Sequence, residues 1–552
     1  MRASEVDEGI GVLLRWPAKS LIRCDNFAPH STAAMAPIRI GANWCELARR
    51  HGDSTMIRLL LTKACLAFAL FAALAAGSPS MAAPRTDLNV GMRLEPPHLD
   101  PTAGAAAAIG EIVYANLFEG LTRMAADGSI KPALAESWTV SPDGKTYTFT
   151  LRKGVTFHDG SPFDASVAKF ALDRTRAADS VNPQKGLFEP IETVEVIDPN
   201  TLKVNLKRPT GAFLFNLAWP AAVMVAPQSA ADNKTKPIGT GPFKLDRWAK
   251  GASVDLVRNP NYWGTKPALA KISFKFIGDP TAAYAVMMAG DVDAYPIFPA
   301  NENIPQFQAD KRFTVKIGNT EGKTIVAINN GRKPFDDIRV RRALAHGIDR
   351  KAVIEGATMG LAKPIGSHYA PQDAGYVDLT GQYPYDPEKA KALLKEAGVS
   401  NLKVKLILPP PDYARRSGEI VAAQLKKIGV DAELVPVEWA QWLSDVFRGK
   451  NYDLTIISHV EPMDLDIYAR DDYYFNYASA EYKALYAELA ATSDPEKRKA
   501  LIEKAQRKLT DDSVNVFMFL LPKTGVWNAK LDGLWENAPL PVNDFTAVRW
   551  RD

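Results

Sequence analysis

The stretch 402–458 leaves this chain few choices of fold. It reads as a strand over 404–408, a helix to Lys427 closed by Gly429, a strand over 430–437, a second helix, and a strand over 452–458. A strand that returns to its sheet through a helix comes back parallel, so two such crossovers in succession predict an α/β architecture: a parallel sheet wrapped by helices. In a sheet of that kind ligands lie beyond the carboxyl ends of the strands. The segments 409–413, 438–442 and 458–466 are therefore the first places to look for a site.

The flanking text is consistent with a large mixed fold. A helix is predicted over 105–120, with Ile109, Ile112 and Leu117 near one face and Gly120 as its stop. Tyr147, Phe149 and Leu151 alternate with polar residues as a half-buried strand does. Asp164 reads as the N-cap of a helix through Val167, Phe170 and Leu172. Residues 193–206 read as a hairpin across Asp198-Pro199-Asn200. Asp386 and Pro387 open a helix lined by Ala390, Leu393, Leu394 and Ala397, and Gly398 closes it.

Composition narrows the class. With 552 residues, 46% hydrophobic and 24% charged, the chain is neither disordered nor a disulfide scaffold, and a net charge of +4 predicts no nucleic-acid partner. Met56 opens a sequence with Arg58 and Lys63, an apolar run from Ala64 to Ala76, and then small residues up to Ala82. That is the layout of a secretory signal peptide, 56–82, cleaved after Ala82 or Ala83. The apolar run of about 13 residues is short of the roughly 20 that span a bilayer. Residues 1–55 then read as an upstream extension from a mis-assigned start. Cys24, Cys45 and Cys65 all precede the cleavage point, so the exported chain carries no thiol and no disulfide.

Local signatures of catalysis are missing. GxSxG, HExxH, GxxxxGK[ST], GxGxxG and CxxC do not occur, and His98, His158, His346, His368 and His459 are scattered with no i,i+4 pair. Acid pairs such as Asp464 and Asp466 could serve glycoside chemistry, yet most acids in such a chain are solvated. The expectation is no enzyme, no catalytic residue, no cofactor and no metal site.

The stretch AESWTVSPDGKTYTFTLRKGVTFHDG, 135–160, closely resembles the signature of the family 5 extracytoplasmic solute-binding proteins, the peptide/nickel-type receptors of ABC importers. The resemblance continues through GTGPFKLDRWAKGASVDLVRNPNYWG (239–264), MAGDVDAY (288–295), FDDIRVRRALAHGIDRKAVI (335–354), YDPEKAKALLKEAG (385–398) and AAQLKKIGVDAELVPVEW (422–439). It implies a two-lobed periplasmic binding protein of the large type II class, with an extra subdomain in lobe one and a cleft that closes about a hinge near 318–329. Lobe one would span 83–320 and lobe two 321–514, with 515–552 returning to lobe one. The implied partners are a small-molecule or short-peptide ligand and the permease subunits of an ABC transporter in the inner membrane, the protein itself acting as a monomer.

The resemblance also suggests ligand-binding positions. Counted without gaps from Glu438-Trp439, Glu461 falls where dipeptide receptors of the family carry the aspartate for the ligand's α-ammonium, and Trp439 falls on their pocket tryptophan. His459, Asp464 and Tyr413 neighbour them on the strand-end rim, and Gly104 and Ala105 lie in the loop that would line the cleft from lobe one. One departure bears on substrate. Those receptors clamp the ligand carboxylate with an arginine before the helix at 417–428, whereas this chain reads LPPPDYARRSGE, with Arg415 and Arg416 at other positions. A peptide, an amine or an opine-like compound all fit, with a secreted hydrolase using Glu461 and Asp464, or a metal-chelate receptor, as the alternatives.

Overall fold

The computed structural model describes residues 85–104 and 106–551, so the expected upstream extension over 1–55, the expected signal peptide over 56–82 and Ala105 lie outside the described residues. Ten strands form one continuous path: Val430–Pro436, Leu402–Leu408, Leu454–His459, Phe313–Ile328, Val516–Asn528, Ala294–Tyr295, Asp87–Met92, Lys271–Phe276, Ser253–Arg258 and Phe243–Ala249. Lys363–Pro364 pairs with Val516–Asn528 at the side of this path.

The two predicted crossovers are present. Leu402–Leu408 runs parallel to Val430–Pro436, in register from Leu402 opposite Val430 to Leu408 opposite Pro436, and parallel to Leu454–His459 on its other edge. The connecting helix Asp412–Lys427 buries Val421 and Leu425 against the sheet and ends before Gly429, whose φ of 85° only a residue without Cβ adopts at no cost. Both faces of this half of the sheet are covered, as parallel strands require. Val326, Ile328, Leu406, Leu408 and Ile456 enter the core under the helices at 338–427. Ile325, Ala327, Ile407 and Ile457 enter a second core rich in tyrosine, built from 442–514.

The other half gathers its own core beneath Asp87–Met92 and Lys271–Phe276. Attached to it is a four-stranded antiparallel sheet, ordered Ala135–Val140, Thr146–Leu151, Thr201–Leu206 and Ile191–Asp198, which contains the predicted hairpin with Val194 opposite Val204 and Val196 opposite Leu202. Helix Ala165–Arg176 begins as read, the Asp164 carboxylate accepting from the backbone N–H groups of Ser166 and Val167. The helix expected over 105–120 spans only Ala107–Val113, because Ala115 takes a left-handed φ of 59° and turns the chain. Leu117 is buried nonetheless, in the turn that follows.

Phe313–Ile328 and Val516–Asn528 join the two halves. They pair antiparallel from Phe313 opposite Asn528 to Val326 opposite Val516, with the register broken between Asn319 and Lys323 and again between Thr324 and Ile325. Beyond the first break, Lys323–Ile328 also pairs with Leu454–His459.

Candidate functional site

A cavity of about 930 Å3 opens where the strand Leu454–His459 ends. One wall comes from 184–219 and includes Gln184, Thr210, Phe215 and Trp219; the other comes from 442–502 and includes Trp442, Glu461, Asp464, Tyr473 and Arg498. This size lies in the range of pockets that enclose small molecules, and the mixture of aromatic wall with a few polar groups is what such pockets use.

The loop after His459 is fixed from below. The Lys323 ammonium, 1% exposed at the register break of its strand, donates to the Glu461 carbonyl at 2.6 Å and lies 2.9 Å from Asp464 Oδ1. Asn515 donates to the Tyr468 hydroxyl at 3.1 Å, so that hydroxyl donates to His368 Nδ1 at 3.0 Å, and His368 Nε2–H donates in turn to Asp464 Oδ2 at 3.1 Å. His459 Nε2 meets the Tyr474 hydroxyl at 2.9 Å. Burial alone would raise the Asp464 carboxyl, but His368 and Lys323 beside it hold it far below the ordinary carboxylate range. Burial, with His368 adjacent, pushes the His459 imidazole down to about 3. The network thus sets the Asp464 carboxylate between the Lys323 ammonium and the His368 N–H, with the His459 imidazole neutral beside them. Met463, at a left-handed φ of 54°, sits in this anchored loop, where surrounding contacts hold a conformation its Cβ disfavours.

The candidate residues separate in space. Glu461, His459 and Asp464 line the cavity together. Only Glu461 is open to it: its carboxylate accepts from the neighbouring Val460 N–H at 3.2 Å, and no cation pairs with it among the described residues. Asp464 is spent on Lys323 and His368, and so supports the loop. Trp439 stands off the lining, 42% exposed at the start of the short helix Trp439–Trp442. Trp442, one turn on, is buried, donates from its indole N–H to Thr455 Oγ1 at 3.0 Å, and lines the cavity in its place. Tyr413 lies beneath the strand, its hydroxyl accepting from the Ser458 N–H at 3.0 Å. Gly104 borders a separate recess of about 80 Å3, where an added Cβ would lie 2.5 Å from His98 Nε2. Tyr473, Lys323 and Arg498 were not among the expected site residues, and Trp442 stood only at the end of the expected strand-end segment 438–442. A tryptophan three residues after Trp439 was a usable signal; the lysine and arginine carry none, since each reads as a solvated charge.

His368, His459 and Asp464 bring donor atoms within 4.8 Å of one another, close enough in principle for a cation. Lys323 already neutralises the one carboxylate, and the remaining ring nitrogens face Tyr468 and Tyr474. A metal ion there would displace an ammonium of the same sign, so the cluster fits an internal ion-pair network better than a metal centre.

Two halves joined by paired strands, with an aromatic and charged cavity between their segments, define a solute-binding clamp. The sequence profile described as "Bacterial extracellular solute-binding proteins, family 5 Middle" matches residues 129–480, and the chain belongs to that family. It is 29% identical over 504 residues to the glutathione-binding protein GsiB of Salmonella paratyphi A, covering 83% of this chain and 93% of that protein. It is 32% identical over 428 residues to the dipeptide-binding protein of Escherichia coli K12, covering 69% and 79%. Among solved structures, HbpA2 from Haemophilus parasuis superposes with a TM-score of 0.78 at 25% identity over 84% of this chain and all of that one. DppA from Helicobacter pylori in complex with the peptide STSA gives 0.68 at 25% identity, covering 85% and 99%. The two-lobed α/β fold is that of these neighbours.

Proposed function

We propose that the chain, exported to the periplasm, captures a short peptide or other small amine-bearing solute in the 930 Å3 cavity and delivers it unaltered to the permease of an ABC importer. The observation that carries this reading is the Glu461 carboxylate, set on the cavity wall by an anchored loop and left without a cationic partner among the described residues. A ligand ammonium supplies that partner, and the pair strengthens as closure excludes water. Trp442 and Tyr473 give the apolar wall. The names of the relatives, glutathione- and dipeptide-binding proteins, support the same solute class.

In this reading 83–320 with 515–552 forms one lobe and 321–514 the other. The broken pairing between Asn319 and Lys323 lies where the strands pass between them and serves as the hinge, since lost ladder bonds let φ and ψ absorb a rotation. No bond is made or broken in the solute. Hydrolysis by two acids needs both free to reach the solute, whereas the Asp464 carboxylate is already engaged by Lys323 at 2.9 Å and by His368 at 3.1 Å.

The test is calorimetric titration with glutathione and a set of dipeptides. Glu461→Gln should weaken binding of the best probe at least tenfold, about 1.4 kcal/mol, with the fold intact. Equal affinity in the variant would remove Glu461 from the site.

A further inference from the structure

Six charged side chains line the cavity: Arg208, Glu461, Asp464, Asp466, Arg470 and Arg498. Four are already matched. Arg208 pairs with Glu189 at 2.5 Å, Asp464 with Lys323 at 2.9 Å, and Asp466 accepts from Arg470 Nε at 3.0 Å. Glu461 is one of the two left over, and Arg498 is the other.

Arg498 lies near the start of helix Pro495–Asp511 and is only partly exposed. Its Nη1 donates to the carbonyls of Leu489 at 3.0 Å and Thr492 at 3.1 Å, while Nε and Nη2 donate to no acceptor among the described residues. It forms no ion pair with any described carboxylate. Burial, which disfavours the cation, holds its guanidinium below the ordinary arginine value. The opposing wall approaches closely: Gly211 N–H donates to the Ala490 carbonyl at 3.0 Å, and a Cβ on Gly211 would lie 1.9 Å from Arg498 Nη1. Glycine at 211 lets the 184–219 wall close over the guanidinium. A half-buried cation fixed by two backbone acceptors, with two nitrogens unused beside a cavity, is a preorganised half of a carboxylate fork.

We infer that Arg498 receives the carboxylate of the solute, so that Glu461 and Arg498 together select zwitterions carrying an ammonium and a carboxylate, and disfavour amines without an anionic group. The inference rests on the reading of this cavity as the solute site. It also puts the anion-binding role, which family resemblance placed before the 417–428 helix, on a different helix in this chain.

The experiment titrates the wild-type chain, Arg498→Gln and Arg498→Lys with glutathione and a dipeptide set, each dipeptide as the free acid and as its C-terminal amide, together with polyamines that carry no carboxylate. Apo melting and near-ultraviolet circular dichroism report whether each variant folds. The expected result is that wild type binds the best free acid at least tenfold more tightly than its amide. Arg498→Gln should lose that discrimination, weakening the acid at least tenfold while leaving the amide unchanged, and Arg498→Lys should retain part of it. Equal binding of acid and amide by wild type, or undiminished discrimination in folded Arg498→Gln, overturns the role of Arg498. Tight binding of a polyamine that depends on Glu461 but not on Arg498 overturns it while the amine-binding reading stands. Binding of no probe by folded wild type overturns both.

Discussion

His158, in the most recognisable stretch of the sequence, does not line the 930 Å3 cavity. Its Nδ1 accepts from the Gly239 N–H at 3.3 Å, so Nε2 carries the proton and faces the Gly241 carbonyl at 3.1 Å. The ring ties the 135–160 signature to the start of the next matched stretch, and burial pushes its pKa down to about 4. A group whose folded pKa is depressed below its unfolded value of 6.5 adds a proton on unfolding. Its stabilisation is full above pH 6.5 and is lost as pH falls through 6.5 toward 4. His459, pushed down to about 3, acts in the same direction over a window that extends lower. In denaturant unfolding the wild type should therefore lose more stability, or gain less, between pH 7 and pH 5 than His158→Gln does, while the buried Glu119, raised to about 7, acts in the opposite sense in both proteins. An unchanged difference would remove His158 from the acid response. The histidine was legible as a residue, and its role was not, because Gly239 and Gly241 reach it only through the fold.

At the scale of elements, periodicity and caps carried most of the reading. Asp164, Asp386, Gly398 and Gly429 bound their helices where the sequence placed them, because cap chemistry is local. The helix at 105–120 was overestimated, since alanine at 115 gives no sign of a left-handed turn that tertiary contacts impose. The loop at 460–464 was legible as a strand end but its support was not: Lys323 comes from a strand more than a hundred residues away. Lys323→Met should destabilise the fold by about 3–5 kcal/mol, since it leaves the Asp464 charge buried without its ammonium. The double variant Lys323→Met/Asp464→Leu should recover much of that loss. Failure of the double variant to recover, in denaturant unfolding, would argue against the ion pair as the cause. Glu119 makes a second buried hub, accepting at 2.8 Å from each of Thr240, Tyr262 and Trp263, and burial raises it to about 7. Glu119→Gln turns an N–H donor toward one of three donors and should cost about 1–3 kcal/mol.

For the whole molecule, two sequence-distant strands, Phe313–Ile328 and Val516–Asn528, set one half against the other, and the cavity opens between segments that the chain order does not bring together. No helix among the described residues is long and apolar enough to cross a membrane. The sequence made the α/β class and the strand-end rim legible, because both follow from crossovers in a single stretch. It left the wall at 184–219 unmarked, because those residues become a site only when the halves meet. A clamp of this kind binds by closing, so a bound solute should contract the molecule and slow proteolysis at the 319–323 break, whereas a rigid receptor would show neither.

Solute capture by this clamp is tested most directly by native mass spectrometry on the chain from Ala83, incubated with a mixed pool of short peptides and amines and then denatured to release what it holds. A one-to-one complex is expected with a solute bearing both an ammonium and a carboxylate, released chemically intact and absent from Glu461→Gln. Conversion of pool members to hydrolysis products by the purified chain, or retention of a solute with neither charge, would contradict it.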